Sequence, residues 1–314
     1  MKQVMTEQKA EKKNILWAFD PFASEIKLQR AVALAMQELT RTGWATIEPV
    51  FVVHNFFGVP KDVVADVSSI QKHAETRLKV ILGKAKIANV KPVKIIFEPY
   101  LSQRAAVEKL IEYARQSNVD LIVTGSYART GPKRWLLGSF AETLVLRSDV
   151  PFLIVNPHWN RVARFKHVLF PTDFSSESHD SFRRCLGLAR ALGAQVTIFN
   201  RPMLVPAQAS ELSWMTLLLS QGTLDVEKVA HEKAAATWSG EAEAAGVKTR
   251  VVFDKSKGGS VAEAILKYAK KNPGLIAMAS HSGAFHTAWL GSVARRVVRE
   301  SPFPVWVIHP ASRG

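Results

Sequence analysis

WLLGSFAETLVLRSDVPFLIVNP, Trp135 to Pro157, returns at the end of the chain as AWLGSVARRVVRESPFPVWVIHP, Ala288 to Pro310. Gly138 then falls on Gly291, Ser139 on Ser292, Pro151 on Pro304 and Pro157 on Pro310, each at an offset of 153 residues. The same offset lays Asp20, in NILWAFDPFAS, on Asp173, in HVLFPTDFSS. An offset shared by both ends of a long block marks a tandem duplication. The chain of 314 residues is read as two domains, 14–157 and 164–310, behind an N-terminal tail over 1–13 expected to be disordered.

Within each half, short apolar runs alternate with helical periods. The first half offers strands at Ile15–Phe19, Ile47–His54, Val93–Phe97, Leu121–Thr124 and Phe152–Val155. Between them, Ala31, Leu34, Ala35 and Leu39 share one helical face, and Val107, Leu110, Ile111 and Ala114 another; Ser139–Leu146 reads as a further helix. The second half offers Val168–Phe170, Val196–Phe199, Thr249–Phe253, Leu275–Met278 and Val305–Ile308 as strands, with a helix marked by Val261, Ile265 and Tyr268. Strands without polar alternation, separated by helices, are buried on both faces, which means parallel βαβ units. The expected fold is α/β: two tandem, doubly wound, five-stranded parallel-sheet domains. Pro60–Ala88 and Pro206–Ala245 are longer, helix-rich connections, the second carrying an apolar patch at Leu212–Leu219 that is expected to pack as a helix or lid.

Composition excludes several classes. Apolar residues make up 47% and charged residues 22%, the balance of a globular protein rather than a disordered, collagenous or coiled-coil one. Lys and Arg number 42 against 27 Asp and Glu, a net +15 shared evenly between the halves. No recognition module accompanies that charge, so nucleic acid is not an expected partner. A single cysteine, Cys185, rules out an intramolecular disulfide and reads as a small core residue in a stripe with Leu188 and Leu192. Met1–Lys13 lacks the apolar run of a signal peptide, and no stretch reaches the roughly 18 apolar residues of a membrane span. The expected location is the cytoplasm, with no membrane partner.

Open parallel sheets bind ligands beyond the carboxyl ends of their strands, where strand order reverses. That nominates the residues after strands one, two and four. After strand one stand Asp20 and Asp173; after strand four of the first half comes Gly125-Ser126-Tyr127-Ala128-Arg129-Thr130-Gly131, then Gly138-Ser139 and Phe140 opening a helix. A Gly-Ser pair at a helix start presents backbone N–H groups and a hydroxyl to a phosphate, with Arg129, Lys133 and Arg134 adding charge. An acidic residue after strand one suits a ribose or the amino group of a base. The plainer alternative is that Gly-Ser and Asp20 simply cap their helices.

Other candidates carry less. His281 and His286 are poorly spaced for a metal, and no metal site is expected. His167 and His179 have no evident partners. Lys255–Ser260 lacks the order of a phosphate loop and reads as a turn with a helix cap. Arg295-Arg296 and Lys270-Lys271 read as solvated helix faces. No nucleophile–base pair or paired carboxylates appear, so no catalytic residue is assigned.

The strings VLFPTDFSSES (Val168–Ser178) and DLIVTGSYARTGPKRWLLGS (Asp120–Ser139), with the closing Pro-apolar strand of each half, resemble the universal stress protein family in its tandem two-domain form, from about Asn14 to Pro310. The resemblance implies a Rossmann-like fold of the adenine nucleotide alpha-hydrolase-like kind and a role in stress response. ATP-binding members carry Gly, two residues, Gly, nine residues, then Gly-Ser or Gly-Thr, and their strand-one Asp contacts the nucleoside. Here Asp20, Gly125, Gly138 and Ser139 match, while Ala128 replaces the second glycine. In the second half Pro171-Thr172-Asp173 and Gly291-Ser292 match, but Ala279 and Ser282 replace both glycines and the loop is one residue short. The implied ligand is ATP, ADP or AMP, held chiefly by the first domain, with a weaker nucleoside or anion site in the second. The family's members without the glycine motif imply the alternative, a nucleotide-independent assembly protein; slow ATP hydrolysis is a third reading. The resemblance also implies that Phe152–Val155 and Val305–Ile308 pair as an intramolecular pseudo-dimer, with a further homodimer open.

Overall fold

Lys13, read from sequence as the end of a tail, instead opens the first strand. Its ammonium pairs with Asp120 at 2.9 Å, and the other oxygen of that carboxylate accepts the Asn14 N–H at 2.8 Å. The computed structural model describes residues 12–23, 25–53, 67–83, 87, 89–98, 102–126, 139–157, 159, 165–202, 213–256, 258–282 and 288–309, with the backbone alone at 213–225, 281–282 and 288–289. These residues form two units.

The first unit runs β1 (Lys13–Ala18), α1 (Ile26–Thr40), β2 (Ala45–Val53), α2 (Val67–Leu82), β3 (Lys94–Phe97), α3 (Gln103–Gln116), β4 (Leu121–Gly125), α4 (Ser139–Arg147) and β5 (Phe152–Val155). Its strands lie in the order β3-β2-β1-β4-β5, all parallel, with Ile15 opposite both Ile47 and Leu121. Central strands are apolar throughout because helices cover both faces: Ile15, Leu16 and Trp17 are all buried. Val107, Leu110, Ile111 and Ala114 of α3 are buried as their spacing requires. On α1 the buried face is broader than the expected stripe. Val32 and Met36 join Ala31, Ala35 and Leu39, while Leu34 is only half-buried.

In the second unit the elements are β6 (His167–Pro171), α5 (Ser176–Leu192), β7 (Gln195–Asn200), α6 (Ser213–Ala244), β8 (Thr249–Phe253), α7 (Val261–Lys271), β9 (Leu275–Ala279), β10 (His281–Ser282), β11 (Ala288–Trp289), α8 (Ser292–Glu300) and β12 (Val305–Ile308). The strand order is β12-β9-β6-β7-β8, again parallel. The long connection after β7 is a helix of 32 residues. It is tied down by Trp238, whose ring lies 4.8 Å from Phe182 and 5.0 Å from His179, stacked on both. Both histidines read as partnerless have partners: His179 Nε2 meets Glu241 at 2.9 Å, and His167 bridges the Asn272 carbonyl and the Thr197 hydroxyl at 3.2 and 2.8 Å. Gly274, just before β9, leaves no room for a side chain, since a Cβ there would sit 2.2 Å from the His167 carbonyl oxygen.

At the ends of β9 and β12, Ser280 and His309 are buried, and the Ser280 hydroxyl meets His309 Nδ1 at 2.7 Å. Burial pushes the His309 imidazole down to about 4 from an ordinary 6.5. Between those values the unfolded chain takes up the proton and the folded chain does not, so stability falls as pH drops through that window, by up to about 3 kcal/mol. His309→Asn keeps an acceptor towards Ser280 but does not titrate. Melting temperatures recorded between pH 6.5 and 4 are expected to fall less steeply for this variant; equal slopes would refute the assignment.

Candidate functional site

Each unit has a crevice at the carboxyl ends of its strands, beside the strand where the chain reverses its direction of travel across the sheet. The two differ in size and lining.

The first crevice has a volume of about 100 Å³ and is lined by Asp20, Leu28, Phe51, Thr124, Gly125 and Phe140, among others. Asp20 follows β1, and its Oδ1 accepts the Phe22 N–H at 2.9 Å, the local turn that a residue of this type favours. Gly125 ends β4, and a Cβ there would meet Leu28 Cγ at 2.6 Å. This glycine therefore admits a leucine from α1 as well as leaving backbone open. Ser139 opens α4, its hydroxyl hydrogen-bonded to the Gln103 amide oxygen, and Phe140 is half-buried. Ala128, Arg129, Gly131 and Gly138, together with Lys133 and Arg134, lie outside the described residues.

The second crevice has a volume of about 430 Å³ and is lined by Thr172, Asp173, Asn200, Arg201, His231, Gly291 and Ser292, among others. Pro171 ends β6 opposite Phe199. Thr172 and Asp173 then turn the chain into α5: Thr172 Oγ1 accepts the Phe174 N–H at 2.9 Å, and Asp173 Oδ1 accepts the Ser175 N–H at 3.0 Å and the Ser178 hydroxyl at 2.7 Å. The turn holds Phe174 at φ 60°, a left-handed conformation that costs a non-glycine residue about 1–3 kcal/mol. On the far side, Gly291 is the N-cap of α8 with no side-chain cap hydrogen bond, and Gly291, Ser292, Val293 and Ala294 at this helix start line the crevice. Ala279 closes β9 and lines the same crevice. Beyond it comes a short antiparallel ladder, His281 opposite Trp289 and Ser282 opposite Ala288, for which the sequence carries no period.

Charge in this crevice is largely engaged. Arg201, nearly buried, pairs with Asp254 at 3.2 Å and donates to the carbonyls of Ser256 at 3.2 Å, Gly259 at 3.1 Å and Gly258. That clasp holds the loop after β8, where Gly258 and Gly259 take φ of 72° and 74° and Ser260 and Glu263 form a capping box. Ser260 is thus the helix cap expected of Lys255–Ser260, with Lys257 outside the described residues. Arg296, read as solvated, binds the Ser260 hydroxyl at 2.9 Å and Glu263 at 2.7 Å, and holds the Glu263 carboxyl below the usual carboxylate range.

A model of the universal stress protein family matches the chain over residues 12–156 and again over 164–309. The chain belongs to the universal stress protein family. Two curated relatives align with part of it: the stress response protein NhaX of Bacillus subtilis, 30% identical over 98 residues, and universal stress protein MJ0531 of Methanocaldococcus jannaschii, 30% identical over 105 residues. These alignments cover 31% and 33% of this chain, and the chain spans 58% and 59% of the relatives' own lengths. The crystal structure of a universal stress protein from Archaeoglobus fulgidus superposes with a TM-score of 0.60 over 95% of this chain and 98% of that one, at 20% identity. At that identity the likeness shows the fold.

Within this universal stress protein, sequence reasoning missed Asn200, Arg201 and His231. The signal for the first two was present: Asn-Arg-Pro directly follows the apolar run Val196–Phe199, at the end of a strand already nominated by topology. His231 comes from the middle of α6, and nothing local marks it. Cys185 is fully buried, which pushes its thiol well above the usual range and leaves it a core residue. Among the described residues, no three His, Cys, Asp or Glu side chains gather as a metal site, and no helix is long and apolar enough to cross a membrane.

Proposed function

We propose that this universal stress protein binds an adenine nucleotide (ATP, ADP or AMP) and acts in a cytoplasmic stress response by occupancy, its liganded state being read by a partner. The observation that carries this is the second crevice, where the uncapped start of α8 and the Asp173 turn line one cavity of about 430 Å³. A helix start without a capping side chain favours phosphate, and Asp173 stands one strand away, in reach of a sugar. Sequence resemblance weighted the first unit; the geometry supports the second more. Leu28 packs against Gly125, and Phe51 and Val52 supply apolar lining where the second unit has Asn200 and Arg201. The proposal is one of binding and includes no catalytic step.

A second reading, assembly without nucleotide, is favoured by Asp173, whose contacts with Ser175 and Ser178 account for it as a helix cap. One experiment separates the two. The protein is purified without added nucleotide, denatured, and its supernatant chromatographed for ATP, ADP or AMP; the apo form is then titrated calorimetrically. Release or saturable binding supports the first reading. No release, and no binding at millimolar nucleotide, supports assembly.

A further inference from the structure

Asn200 ends β7 and is 3% exposed, yet it lines the second crevice. Its Nδ2 donates to the Thr172 carbonyl at 2.9 Å, which fixes the orientation of the amide. Its Oδ1 is buried with no hydrogen-bond partner among the described residues. A buried acceptor left unpaired is costly, and native proteins rarely carry one without a reason.

Strand order supplies the reason. β6 lies between β9 and β7, with neighbouring strands about 4.8 Å apart. Phosphates held at the start of α8 lie beyond β9, and a sugar beside Asp173 lies beyond β6. The base of the same nucleotide, on the opposite side of the sugar from its phosphates, then falls over the end of β7. We infer that Asn200 is the residue by which the second crevice selects a purine carrying a 6-amino group. The inference rests on the adenine nucleotide reading above and adds the residue and atom by which that base is told from a 6-oxo purine.

The chemistry is complementary. Oδ1 can only accept, and the 6-amino group of adenine donates; a purine with a 6-oxo group would set one acceptor against another. An asparagine amide matched to adenine is a recurrent pairing in base recognition. The first unit has no counterpart. Ala18 is opposite Val50 and the Phe19 N–H bonds the Val50 carbonyl at 2.9 Å, as Pro171 is opposite Phe199 and the Thr172 N–H bonds the Phe199 carbonyl at 2.9 Å. Phe51 therefore takes the place of Asn200, and a ring offers no acceptor in the base's plane.

Calorimetric titration of the full chain with ATP, N6,N6-dimethyl-ATP and ITP tests this. ATP is expected to bind at least about tenfold more tightly than either analogue, because each leaves Oδ1 unpaired. Asn200→Ala is expected to weaken ATP and close the gap to within about twofold, since the acceptor that discriminates has gone. Equal binding of all three nucleotides by the unsubstituted protein overturns the assignment, and so does a gap that survives Asn200→Ala. If that variant does not fold, the analogue series alone decides. ATP binding without discrimination removes only the role of Asn200, whereas no binding by any nucleotide removes the nucleotide reading and this inference with it.

Discussion

Gly291→Asp is expected to weaken adenine nucleotide binding by about a hundredfold or more, because a carboxylate would face the phosphates at close range. The same change is expected to leave the melting temperature unchanged or slightly raised. Gly291 sits at φ −57° and ψ 159°, a conformation open to any L-residue, and it caps α8 with no side-chain bond. Asp caps a helix better than Gly by a few tenths of a kcal/mol, and its charge favours the helix N-terminus. Lost affinity with retained or improved stability is an outcome that misfolding does not produce. Gly291→Asn separates charge from shape: it caps α8 with nearly the same volume but no charge, and should cost about tenfold at most. Binding within twofold of the unsubstituted protein in Gly291→Asp would show that α8 does not hold the phosphates. The matching change in the first unit, Gly138→Asp, is expected to have the smaller effect.

The fold was legible because its signal is local and repeated. Runs such as Leu121–Thr124 and Val305–Ile308 are apolar on both faces, and a strand of that kind has no place except between two layers of helix. The duplication then made each half a check on the other. Lys13 was not legible as a strand residue, since the partner that stabilises it, Asp120, is 107 residues away in sequence. Met36 is buried on α1 and Leu34 only half so because a helical stripe read from four residues leaves its centre uncertain by about one position, and the sheet below decides it.

The candidate site divides in the same way. Asp20, Asp173, Gly291 and Ser292 could be named from spacing, because strand ends and helix starts are where the chain turns. Whether a crevice there is roomy depends on residues far away in sequence. Leu28 against Gly125 narrows the first, and no motif records that contact. Asn200 follows an apolar run plainly enough, but its meaning comes from β7 lying beside β6, a fact of topology rather than of spacing.

Trp238→Ala is expected to destabilise the second unit by about 3–5 kcal/mol, as for other large aromatic residues removed from a packed core. The ring is 4% exposed and touches four others: Phe182 at 4.8 Å, His179 at 5.0 Å, Phe174 at 5.1 Å and Phe170 at 6.3 Å between centroids. The effect should also reach the ligand, for a specific reason. Phe174 directly follows Asp173 and is held at φ 60°, so part of the contact energy from Trp238 opposes that backbone strain. With the indole gone, the turn is free to relax and Asp173 loses its fixed position over the crevice. Urea unfolding and calorimetric titration together test this: stability and nucleotide affinity should both fall in Trp238→Ala and both recover partly in Trp238→Phe, which restores a ring against Phe174. Affinity unchanged in a destabilised Trp238→Ala protein would mean that the Asp173 turn is set by its own serine contacts and owes nothing to α6.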